Sequence, residues 1–104
     1  MLPVSVIRED LKEIKYYYSR KELFEESFKH TGTNDIVEKA NKYNMLITKA
    51  SPKLYELYVE LYINNHTQES FADKLCYSTE YVQLLNRKLL KFLQMSMEEE
   101  NKEI

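Results

Sequence analysis

The apolar positions of this chain recur at helical rather than strand spacing, in three successive blocks. In the first, Ile7, Leu11, Ile14, Tyr17/Tyr18, Phe24 and Phe28 keep a period near 3.5, interrupted at Lys21. That period predicts one long amphipathic helix over 3–30. Its other face carries Arg8, Glu9, Lys12, Glu13, Arg20, Glu22 and Glu26, a mixed-sign wet surface. His30-Thr31-Gly32 ends it, with glycine where a C-terminal cap sits. A second helix over 34–49, capped by Thr33 or Asn34 with Asp35 in its first turn, aligns Ile36, Ala40, Tyr43 and Ile47. The short connection predicts an antiparallel hairpin.

The second block opens at Ser51-Pro52, a capping residue followed by proline at the first helical position. Leu54, Tyr55, Leu57, Tyr58, Val59, Leu61, Tyr62 and Ile63 leave only Lys53, Glu56 and Glu60 on the wet side of a helix over 52–64. A helix apolar around most of its circumference is covered from several sides. Asn64-Asn65-His66 links it to the third block.

That block, Thr67 to Leu93, predicts a helix-turn-helix. Thr67 is an N-cap, and Phe71, Ala72 and Leu75 form one apolar side of a short helix, Ala72 small enough for close crossing. Cys76-Tyr77 makes the turn, and Ser78 caps a longer helix with Tyr81, Val82, Leu85, Leu89, Phe92 and Leu93 at helical spacing. Its outer face is polar: Thr79, Glu80 and Gln83, then Arg87, Lys88 and Lys91. A short helix across a longer one with a free N-terminal face is the geometry that reads a DNA major groove. Cys76 stands where glycine is usual, and a left-handed conformation there costs about 1–2 kcal/mol. Leu84 and Leu90 fall off the core stripe, so that surface meets thymine methyls, the N-terminal hairpin, a second subunit or another protein.

Composition narrows the class. One glycine and two prolines in 104 residues are too few for the turns of a sheet protein, so the fold is expected to be all-α. The division expected is a long-helix hairpin over 1–50, a helix-turn-helix domain over 51–97 and a frayed acidic tail over 98–104. A single cysteine excludes an intramolecular disulfide framework, and no apolar run reaches the ~20 residues that span a bilayer. MLPVSVIRED reaches charge after seven residues, so a cytoplasmic protein is expected. No phosphate loop, paired-cysteine metal spacing or nucleophile elbow occurs, so no enzyme, cofactor or metal is expected. The net charge of −2 disfavours a DNA-binding monomer, since non-specific affinity comes from phosphate neutralisation. Residues 51–97 hold five basic and five acidic side chains. Paired half-sites would supply the missing contact, so a homodimer is expected.

From Lys53 to Leu93 the pattern resembles the C-terminal DNA-binding domain, region 4, of bacterial sigma-70-type factors. The residues that carry it are Thr67-Gln68-Glu69-x-x-Ala72-x-x-Leu75, Ser78-x-Glu80-x-Val82 and Leu89-Leu90-Lys91-x-Leu93. The resemblance implies that Thr79, Glu80, Gln83 and Arg87 face bases and that Thr67, Gln68, Lys88 and Lys91 lie near phosphates. Over nearly its full length, with VIREDLKEIKYYYSRKELF and KLYELYVELY, the chain is similar to small prophage proteins of low-GC Gram-positive bacteria that resemble phage late-gene transcriptional regulators. A regulator of double-stranded DNA is thereby implied. The rival expectation is a sigma-like module that docks on RNA polymerase or another phage protein through Tyr81 and Leu84.

Overall fold

Proline at position 3 opens the first helix. Its φ of −66° and ψ of 152° place it at the N-cap, where the helix asks for no N–H. Helix α1 spans Val4–Ser19 and buries Ile7, Leu11, Ile14 and Tyr17. It ends at Ser19 rather than continuing unbroken past Arg20. Ser19 Oγ donates to the Tyr16 carbonyl at 2.7 Å, and Arg20 leaves helical geometry at φ −132°, ψ 33°. A serine hydroxyl folded onto its own last turn competes with propagation. The computed structural model describes residues 2–21 and 35–102; the expected continuation through Phe24 and Phe28, the Gly32 cap and the Thr33/Asn34 cap lie outside them.

Helix α2 spans Asp35–Ile47, with Asp35 and Glu38 in its first turn, where carboxylates complement the helix dipole. Helix α3 begins after an extended Ser51, runs over Pro52–Tyr58 and continues as a π-helical turn over Val59–Ile63. Leu57, Tyr58 and Leu61 are buried, but Tyr55 is exposed, so its wet side is wider than the pattern predicts. Helix α4 spans Gln68–Leu75 and α5 spans Thr79–Lys102.

The expected frayed tail after Met97 is therefore helical as far as Lys102. Glutamate is a good helix former. Glu99 and Glu100 also border a hollow shared with Lys42 of α2 and Lys49 just beyond it, which sets opposite charges near them.

Among the described residues the protein is all-α, five helices without a strand, around one buried cluster. Helix α1 packs against α2, α3 and α5, α2 also against α3 and α5, and α4 against α5 and the π-helical turn. The apolar stripes of both halves thus meet in the same core. Leu90, expected off the stripe, is 2% exposed because α1 lies along that flank of α5. Gln94 Nε2 adds a tie there, donating to the Leu2 carbonyl at 2.6 Å across 92 residues.

Polar atoms in the seam are paired. Tyr58 Oη donates to Asn44 Oδ1 and Asn44 Nδ2 to Tyr18 Oη, both at 2.7 Å, tying α3, α2 and α1. Tyr43 Oη donates to Asp10 Oδ2 at 2.6 Å, and Lys39 bridges Asp10 and Glu13. Satisfied contacts of this kind hold a single register between helices. No helix among the described residues is long and apolar enough to cross a membrane.

Candidate nucleic-acid interface

The junction between α4 and α5 is set by local chemistry. Thr67 Oγ1 accepts the Ser70 N–H at 3.0 Å and so caps α4. At the other end Cys76 takes φ 59°, ψ 35°, the left-handed conformation. Tyr77 N–H reaches the Ala72 carbonyl at 2.8 Å and Cys76 N–H the Asp73 carbonyl at 3.3 Å. This is the hydrogen-bond pattern of a Schellman motif, with cysteine at the position glycine favours. The Phe71 and Tyr77 rings, 6.4 Å apart, supply its apolar contact. Ser78 Oγ then accepts the Tyr81 N–H at 3.1 Å and starts α5.

Helical phase sorts the side chains of α5. Val82, Leu85, Leu89, Leu90, Leu93 and Met97 enter the core. On the outer side Thr79, Glu80, Gln83, Arg87, Lys88 and Lys91 are all exposed, while Gln68 at the start of α4 is half-buried and Thr67 is exposed. Leu84, 38% exposed, lies among them. Tyr81 is more engaged: its ring stands edge-on to Tyr77 at 4.9 Å and its hydroxyl accepts from Lys53 Nζ at 3.1 Å. That bond holds the Lys53 ammonium pKa above its ordinary value.

Gln68, Gln83 and Arg87 open onto a cleft of about 500 Å³. Its opposite wall is α1, which contributes Arg8, Leu11, Lys12 and Lys15, and its floor includes Tyr62 and Asn86. Four cations and no carboxylate line it. Burial raises the Tyr62 hydroxyl pKa, against the Asn86 bond and the nearby Arg8, so the phenol stays protonated at neutral pH. It donates to Asn86 Oδ1 at 2.8 Å, which leaves the Asn86 Nδ2 donors for a ligand. Among the described residues no carboxylate pairs with Arg8, Lys15 or Arg87; Lys12 makes an exposed 3.6 Å pair with Glu9.

Arg8, Lys12 and Lys15 were not legible as site residues because the α1 surface reads as mixed in sign. Helical phase carried the signal. Positions 8, 12 and 15 lie on one flank of the Leu11 stripe, and the acids Asp10 and Glu13 lie on the other, where Lys39 of α2 takes them. Arg8 and Lys15 are thereby left without a carboxylate partner among the described residues, and Lys12 keeps only its exposed pair with Glu9.

No group of three or more His, Cys, Asp or Glu side chains among the described residues is placed to hold a metal ion. Comparison with protein-family models, curated proteins and solved structures finds no match to this chain.

Proposed function

We propose that the protein binds double-stranded DNA through the outer face of α5 and acts as a transcriptional regulator of the phage type its sequence resembles. The observation that carries this is the α5 face itself. Gln83, Arg87, Lys88 and Lys91 stand exposed on a helix whose opposite stripe is locked in the core, and a capped tight turn fixes its start. Rigid presentation of such donors suits base edges in a major groove, while Thr67 and Gln68 at the α4 start suit phosphates. In this reading Thr79, Glu80, Gln83 and Arg87 face bases and Lys88 and Lys91 face the backbone. It involves no catalytic step and no cofactor. Two copies on a paired site would double the contact, and we propose that homodimeric form for the bound state.

The test is binding of purified protein to fragments from around its own gene, at low and near-physiological salt, with sedimentation of the complex. Sequence-selective binding that persists at the higher salt, weakened by about 1–3 kcal/mol in Gln83→Ala or Arg87→Ala, supports the reading. Unchanged affinity in both variants removes the base-reading assignment. Leu84 favours a second reading. An apolar side chain left 38% exposed among polar neighbours suits contact with RNA polymerase or another phage protein. Leu84→Ala that leaves DNA binding intact but abolishes a polymerase interaction would establish it.

A further inference from the structure

The charge of the whole chain is −2, yet Arg8, Lys12, Lys15 and Arg87 surround one open cleft with no carboxylate in its lining. Like charges gathered this way repel one another unless an anion sits among them. The three on α1 recur at i, i+4 and i+7, a row about 10 Å long at 1.5 Å per residue. Charges on one strand of duplex DNA rise by about 3.4 Å each, so the row spans about three successive phosphates. Across the cleft Gln68 and Asn86 offer amide donors, which suit phosphate oxygens.

We infer that this cleft seats the phosphodiester backbone of the DNA whose groove α5 enters, with α1 as a second arm that grips without reading sequence. The inference rests on the DNA-binding reading of α5 and extends it to Arg8, Lys12 and Lys15, which lie some seventy residues away in the chain. Lys39 draws off Asp10 and Glu13, and Glu9, which makes an exposed pair with Lys12, does not line the cleft. Backbone contacts set register and affinity, whereas base contacts set selectivity.

The experiment compares the full chain with Arg8→Gln/Lys12→Gln/Lys15→Gln on random-sequence duplex DNA over a range of salt concentrations. Glutamine keeps an aliphatic stem against Leu11, and thermal melting without DNA checks that the fold is retained. Lys42→Gln/Lys49→Gln, outside the cleft, is the control for net charge. The slope of log K against log salt is expected to fall by about 2.7 in the triple variant, about 0.9 for each cation removed, and to stay unchanged in the control. An equal slope in wild type and triple variant overturns the α1 arm and leaves the α5 reading standing. A loss per charge as large in the control as in the triple variant also overturns it, since bulk charge would then account for both. Wild-type protein that binds no duplex even at low salt removes the inference together with the reading it rests on.

Discussion

Replacing Cys76 by glycine should stabilise the protein, although it removes a side chain. At φ 59°, ψ 35° a Cβ crowds the backbone, at a cost of about 1–2 kcal/mol. Glycine relieves this but adds freedom to the unfolded chain, which takes back about 0.5–1 kcal/mol. The thiol is exposed and contributes little packing. Cys76→Ala is the proper reference, because it keeps the Cβ and discards the sulfur. Relative to it, Cys76→Gly is expected to gain about 0.5–1 kcal/mol, or about 2–8 °C in Tm for a domain of this size. The assay is thermal and urea unfolding followed by circular dichroism under reducing conditions, with unchanged m-values as the check that only stability has moved. A glycine variant no more stable than the alanine variant would refute the left-handed turn. The direction in which α5 leaves α4, and with it the exposed face at Gln83 and Arg87, would then need another basis.

Tyr43 and Tyr58 predict alkaline unfolding. Burial raises both hydroxyl pKa values above the ordinary 10, and the Asp10 carboxylate raises Tyr43 further. The unfolded chain therefore loses these protons first, so stability is full below about pH 10 and falls above it by about 1.4 kcal/mol per pH unit for each hydroxyl. Lys39, raised mainly by its bond to Glu13, acts in the same direction as pH climbs through its folded value. Helix content and tyrosinate absorbance should change together, and smooth titration of all nine tyrosines near pH 10 with helices intact would contradict this. Tyr58→Phe should cost about 1–3 kcal/mol by urea unfolding, since it leaves Asn44 Oδ1 without its buried donor. Ile14→Ala should cost about 2–5 kcal/mol, as a fully buried side chain in the shared core. A cost near zero would mean that α1 does not hold the rest together.

What was legible beforehand is what a few neighbouring residues decide. Thr67 and Ser78 announce the starts of α4 and α5 because a hydroxyl bonds an N–H three residues ahead, as it does at both sites. Cys76 announces its own strain in the same way. The flank of α1 that becomes a cleft wall was not legible, because it acquires meaning only when α5 lies opposite. For Leu90 the pattern leaves several partners open, the N-terminal hairpin among them: the Val82–Leu85–Leu89–Phe92 stripe describes a helix covered on one side, and α1 of that hairpin adds a second. The stop at Ser19 turns on a hydroxyl choosing a carbonyl over water, which periodicity does not register. The interruption at Lys21 was its only trace in the pattern.

The bond from Gln94 to the Leu2 carbonyl has a consequence in time. Helix α1 leaves the ribosome well before Leu89, Leu90 and Leu93 of α5, the helix that packs against it. At about 5–20 residues per second, a gap of this length lasts roughly 5–20 s. Throughout that interval the row Ile7, Leu11, Ile14 and Tyr17 lacks its α5 cover on the nascent chain, a target for chaperones and for other chains. The cleft likewise has only one wall until α5 is made, so its cation-lined face assembles only when residues some seventy positions apart come together.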